Sequence, residues 1–355
     1  DNLAIGYEAM TTNTAGGTKN IAIGNYSGDA ITSGDDNTLV GYYSGSAITS
    51  GGANTFIGQE AGLTTAAGTS NTAVGNLALR ANATTDDNTA VGRSALAANV
   101  ADANTAVGRS ALTANTTGTS NVAVGKDALQ DNTTGDANTA VGFQALLEAT
   151  TAHDNTAIGY YALKNTTGGA AGNVAVGKAA LANNQASGNT AVGFGALQAN
   201  TTGQRNIAIG YQAYLASDGE SDNMAIGVNA MITNTAGGIE NLAVGNYALD
   251  ALTSGDKNVA IGYNSCTGLD TGLENVCVGV TTGSLTSGSY NTIIGRNSGT
   301  YNTALTTGDG NTILGSYAYT TAAGTDHAVI IGHGVAGEEG YSTIGYSNSE
   351  IRAPH

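Results

Sequence analysis

Tryptophan is absent from this chain of 355 residues, phenylalanine occurs three times, cysteine twice and proline once. Aromatic residues amount to 5%, too few large rings to fill a conventional globular core of this length. Charged residues are scarce at 11%, less than half the usual share. Cations are scarcer still: 11 Lys and Arg stand against 27 Asp and Glu, a formal charge of -16. That balance excludes a sequence-independent nucleic-acid binder, whose phosphate contacts come from Lys and Arg, and it disfavours anionic membrane surfaces. No apolar run is long enough for a membrane-spanning helix, so no membrane insertion is expected in this segment. Two cysteines, Cys266 and Cys277, do not make a disulfide scaffold.

What the chain has in excess is small residues, 53 of them Gly. They are organised by an internal repeat, which is to be read before any local feature. Asn2-Leu3-Ala4-Ile5-Gly6 recurs as Asn20-Ile21-Ala22-Ile23-Gly24, and nineteen such copies close at glycines from Gly6 to Gly315, about 17 residues apart. The chain opens inside this pattern and so reads as a segment or processed form of something longer. Four residues before each closing Gly stands Asn, without exception. The residue just before Gly is Val or Ile, with Leu314 in one copy. Two before Gly is Ala, except at Leu39, Phe56, Cys277, Ile293 and Ile313. Three after Gly is Ala, Ser or Thr, and four after is often Leu, as at Leu79, Leu96 and Leu112. The remainder is polar turn, for example Asn115-Thr116-Thr117-Gly118.

A repeat this short cannot hold a helix-turn-helix unit and fits one coil of a β-solenoid. Thr72-Ala73-Val74 is a short strand whose side chains alternate faces. The restricted Val/Ile column is expected to face the core opposite Leu79, with Ala73 on the outside. Gly75 is expected where φ is positive or backbones approach closely. Stacked Asn residues are expected to form a side-chain amide ladder. An outward Ala strip would be a large exposed apolar patch, which implies burial against other copies of the chain.

The cores Val122-Ala123-Val124-Gly125, Ile207-Ala208-Ile209-Gly210 and Val259-Ala260-Ile261-Gly262 resemble the YadA-like head repeats of trimeric autotransporter adhesins. The resemblance covers about residues 1–320 and implies a left-handed parallel β-roll in a homotrimer, intertwined or side by side. The repeat here is longer than the adhesin repeat, and Asn71-Thr72-Ala73-Val74-Gly75, with Ala78-Leu79 after it, resembles the variety in tail-fibre proteins of tailed phages. What that resemblance implies is a virion tail fibre attaching to a host-surface glycan or protein, with a bacterial adhesin head at the cell surface as the alternative.

After Gly315 the pattern decays, so the domains are read as a repeat shaft or head, 1–320, and an irregular C-terminal cap or transition, 321–355. Solenoids need such caps. Tyr301, Tyr317, Tyr319, Tyr341 and Tyr346 concentrate there with His327 and His333. Of these Tyr317, Tyr319, His333, Tyr341 and Tyr346 are the candidate receptor contacts. Gly332-His333-Gly334-Val335-Ala336-Gly337 matches a dinucleotide-binding pattern, but the helix and the distant acidic residue that such a site needs do not follow. His153, His327, His333 and His355 lack metal-ligand spacing, and the turn acids Asp86, Asp87 and Asp136 do not form a calcium loop. No nucleophile-base set is spaced for catalysis, so neither enzyme activity nor a cofactor is expected. Cys266 and Cys277 fall in different columns and read as free buried thiols. Ice binding by a Thr-rich face is a minor alternative. Thr stands three before Gly in 10 of 19 copies, and alternation would turn it toward the core with Val/Ile.

Overall fold

The computed structural model describes residues 1–13, 15–347 and 349–354, with the side chains of Ser349 and Glu350 left out. The chain is all-β, a parallel β-solenoid of about 20 turns set ~17 residues apart. It divides into two compact units, Asp1–Lys178 and Ala179–His355. In the first, three-residue strands run from β1 (Leu3–Ile5) to β11 (Val174–Val176). In the second they run from β12 (Thr190–Val192) to β19 (Thr312–Leu314). Five further strands follow: β20 (Tyr319–Thr320), β21 (Val329–His333), β22 (Ala336–Gly337), β23 (Tyr341–Tyr346) and β24 (Ser349–Pro354). Successive coils pair column on column, so that Thr72, Ala73 and Val74 lie beside Thr89, Ala90 and Val91. The one antiparallel pairing among the described strands is β23 with β24, at the end of the second unit.

Each strand stops at its glycine for two reasons. Gly142 has φ of 138°, and a Cβ there would sit 2.5 Å from the carbonyl oxygen of Gly159 on the next coil, closer than any side chain can be. The chain then turns sharply. The amide of Ala78 donates to Gly75 O at 3.3 Å, and that of Leu79 donates to Ala95 O of the following coil at 2.9 Å. The turn thereby hands backbone groups to the next coil, which satisfies them without a helix.

The strand faces are the reverse of those expected. From Ala22 onward the residue two before Gly is completely buried in coil after coil, Ala73, Ala90, Ala140 and Ala208 among them. Val/Ile and Thr on either side of it point outward and are half-buried or exposed, as Thr72 and Val74 are half-buried. The core is thus an Ala column facing the Leu column, with Leu79, Leu96 and Leu112 fully buried. Its narrowness explains the small residues: the coil admits one methyl opposite one isobutyl group. Three of the exceptions come in compensated pairs. Phe56 replaces Ala where the Leu position holds Gly62, whose Cβ would lie 2.3 Å from the Phe56 ring. Leu39 is similarly matched by Gly45, at 2.7 Å, and Ile293 by Gly299, at 3.2 Å. In these three coils the core volume is held nearly constant, as close packing demands.

Cys266 and Cys277 also depart from expectation. They belong to different columns, but both columns point into the same core. The two residues form a disulfide, with their Cα atoms 6.1 Å apart.

The amide ladder is present. In the first unit Asn37 Nδ2 donates to Asn20 Oδ1 at 3.0 Å, Asn54 to Asn37 at 3.0 Å and Asn138 to Asn121 at 3.1 Å. The second unit has its own, Asn258 to Asn241 at 3.1 Å and Asn311 to Asn291 at 2.9 Å. Each Oδ1 also accepts a backbone N–H, as Asn121 Oδ1 does from Asn138 N at 3.0 Å. The other amide hydrogen reaches a turn carbonyl, Ala152 O in the case of Asn138, at 2.8 Å. A second buried Asn column lies seven residues after the glycine: Asn132 Nδ2 donates to Asn115 Oδ1 at 2.8 Å and Asn115 to Asn99 at 2.7 Å.

Candidate functional site

The C-terminal end of the second unit carries an open cleft of about 490 Å³, lined by Tyr301, Asn302, Tyr317, Tyr319, His333, Gly334 and Ser347. Three successive turns build it. Tyr317 follows Gly315 by two residues and takes a left-handed φ of 58°, and its amide donates to Arg296 O at 2.9 Å. Gly334 N donates to Ser316 O at 3.0 Å, and Ser347 N donates to His333 O at 2.8 Å. Tyr301 is delivered by the longest interval between closing glycines, the 20 residues from Gly295 to Gly315. That insertion widens the turn.

The rings pack on one another. Tyr301 meets Tyr317 edge-on at 5.2 Å and Tyr319 at 5.8 Å. Tyr317 meets His333 at 5.6 Å, and His333 stacks on Tyr346 at 5.2 Å. The Arg296 guanidinium lies 5.7 Å from the centre of the Tyr317 ring, within cation–π range. Aromatic faces beside phenol, imidazole, amide and hydroxyl groups suit a ligand with one apolar face and a polar rim. The lining contains no carboxylate, so the paired acids of glycoside hydrolysis are not assembled in it.

Of the five expected contact residues, Tyr317, Tyr319 and His333 line the cleft, and Tyr346 stacks on His333 without lining it. Tyr341 stands at the far end of β23, paired with Pro354, and does not line the cleft. Asn302, Gly334 and Ser347 were missed by sequence reasoning. The signal for Asn302 was the 20-residue interval; Ser347 had none, because it reaches the cleft only through pairing of β21 with β23.

Gly332-His333-Gly334 closes β21 and turns into β22 without a helix, so the dinucleotide-like pattern is a strand end. Among the described residues no group of three or more His, Cys, Asp or Glu side chains converges to hold a metal ion. His153 pairs with its neighbour Asp154 at 2.8 Å on an exposed turn, and His355 lies outside the described residues. No described helix is long and apolar enough to cross a membrane. No protein-family model matches the chain, and no curated protein matches it.

Proposed function

We propose that this chain is the shaft or head segment of a homotrimeric fibre, of the type found on tailed phages, that attaches a virion to a host-surface glycan or protein. Its role is mechanical and adhesive, with no catalytic step. The observation that carries the reading is the outward Val/Ile column. Ile57 is 40% exposed and Ile158 41% in the first unit; Ile209, Ile261 and Ile294 are each 39% exposed in the second. The Ala strip expected to need covering lies inside the chain's own core, and the Val/Ile row is the apolar surface left outside. Such an aliphatic row, repeated coil after coil on each unit, is surface of the kind that marks an interaction site, and sister copies around a three-fold axis would cover it. Each fibre would then present its aromatic cleft three times, which raises avidity.

Mass in solution tests the reading. The fibre requires three times 35.0 kDa, and Ile158→Asp should split the assembly. A monomer at micromolar concentration retires the homotrimer.

One observation favours a second reading, ice binding. The Thr column does not face the core. Seven of the eight coils from Thr38 to Ile158 present Thr and Val/Ile outward together, Val122 being the exception. Such a face would organise water if left uncovered. Thermal hysteresis from a monomer would favour it; a trimer without hysteresis removes it.

A further inference from the structure

The eleven cations are not spread evenly. In six successive coils of the first unit, the residue just after the closing glycine is Arg93, Arg109, Lys126, Phe143, Tyr160 and Lys178. Four cations in six positions is a local concentration in a chain of net charge -16. Backbone hydrogen bonds fix the first four in a column: Ser110 N donates to Arg93 O, Asp127 N to Arg109 O and Gln144 N to Lys126 O, at 3.0, 3.0 and 3.1 Å. All three of these cations are exposed. Among the described residues neither Arg93 nor Arg109 has an ion-pair partner; Lys126 lies 3.4 Å from Asp127. Between the two arginines is a cleft of about 190 Å³ walled by Arg93, Ser94, Arg109 and Ser110.

We propose that this column is a binding site for a linear acidic polysaccharide bearing a carboxylate on each sugar. Guanidinium groups grip carboxylates through two parallel N–H···O bonds, and the serine hydroxyls flank them as further hydrogen-bonding groups. The spacing selects the ligand. Cations recur at the coil spacing, about 4.8 Å, close to the length of one pyranose unit. The neighbouring aromatics argue against nucleic acid. Phe143 and Tyr160 stack face to face at 5.2 Å and 17°, and Lys126 and Lys178 lie over their rings at 5.1 and 5.6 Å. Their faces are covered, so they offer no platform for a base. Recognition is by charge, which separates this site from the aromatic cleft of the second unit.

The test is titration of the whole chain with oligo-alginate, neutral dextran, dextran sulfate and oligo-dT at matched charge. Alginate should bind with log K falling about 2 per tenfold rise in salt, the release expected for three contacts, and dextran should not bind. Arg93→Gln with Arg109→Gln should weaken alginate at least about 30-fold, at roughly tenfold per lost charged contact. Lys257→Gln, exposed in the second unit, should leave it unchanged. Both substituted positions are on the surface, and unchanged circular dichroism keeps the comparison valid. Absence of alginate binding at 50 mM salt (~the low end of the salt range), equal affinity for oligo-dT or dextran sulfate, or indifference to the double substitution would each overturn the proposal.

Discussion

Removing one rung of the amide ladder should open the solenoid locally. Asn138 is completely buried and makes four hydrogen bonds with its side chain. It donates to Asn121 Oδ1 and Ala152 O, and accepts from Asn155 N and Asn155 Nδ2, at 3.1, 2.8, 3.1 and 3.2 Å. Asn138→Ala does not hurt all partners equally. Asn121 Oδ1 keeps the Asn138 backbone amide, and Asn155 Nδ2 keeps His153 O and Ala170 O. Two backbone groups, Asn155 N–H and Ala152 C=O, lose these bonds. At about 1–3 kcal/mol for each buried group left unmet, the loss is about 2–5 kcal/mol once partial water entry is allowed. In a stacked-repeat fold that cost falls on the affected coils before it falls on the whole chain. Hydrogen exchange followed by mass spectrometry should therefore show peptides across 139–155 losing protection at least ~30-fold. The half-buried Asn76, whose side chain makes one long bond of 3.4 Å to Gln59 O, is the control, and Asn76→Ala should change little. A loss below about threefold at Asn138, or one equal to the control, would refute the view that the ladder holds the coils together.

Two further substitutions probe the core. Gly62→Leu forces a side chain into the Phe56 ring, and should destabilise by about 1–3 kcal/mol. Adding Phe56→Ala restores the usual Ala–Leu pairing and should recover most of the loss, a coupling that denaturation of the four variants would measure. Tyr214 occupies the Leu column, fully buried, with its hydroxyl accepting from Asn223 Nδ2 at 2.7 Å and Asn234 Nδ2 at 3.0 Å. Tyr214→Phe should cost about 1 kcal/mol, the net worth of a buried hydrogen bond, because Asn223 Nδ2 keeps Ser221 O and Gly238 O and Asn234 Nδ2 keeps Gly238 O. Burial raises the phenol's pKa well above its ordinary range. The folded form therefore holds its proton more tightly: the contribution is whole below about pH 10 and declines as pH climbs beyond it. Thermal melts from pH 8 to 11 (~the range spanning free phenol ionisation) should show that alkaline slope in the native chain and a flatter one in the variant.

Much of the architecture was readable from spacing alone. The invariant Asn and Gly columns announce a coil, because only a stacked geometry places the same residue above itself nineteen times. What spacing could not decide was which strand face turned inward. Alternation separates Ala73 from Thr72 and Val74 but carries no sign, and hydrophobicity suggested the wrong one. The sign was present in the pairs Leu39 with Gly45, Phe56 with Gly62 and Ile293 with Gly299. Size compensation requires contact, so the Ala and Leu columns face each other. The cysteines repeat the same relation as a disulfide between the two columns. The aromatic cleft was half legible for a related reason: Tyr317, Tyr319 and His333 stood out by local density, whereas Ser347 joins them only through strand pairing.

The corrected polarity sharpens the question of what covers the sheet. Two columns of each strand point outward, yet their composition differs. Three before the glycine, 10 of 19 residues are Thr; one before it, none is, and Val, Ile or a single Leu fills every copy. Strand propensity cannot separate them, since β-branched Thr suits a strand about as well as Val. The chain's own core cannot either, because neither column faces it. A polar substitution at an outward position of a lone solenoid would cost little, so a column confined to aliphatic residues points to apolar surroundings supplied from outside the chain. Sister copies packed along the Val/Ile side, with the Thr side toward the rim, would provide such surroundings. An ice-binding face would place no such ban on Thr. Placing Thr in the Val/Ile column, as Val107→Thr, Val124→Thr and Val141→Thr together, should therefore weaken a trimer at least tenfold, while leaving the fold intact and any thermal hysteresis undiminished. Unchanged assembly in that variant would mean that the column is set by something other than an interface.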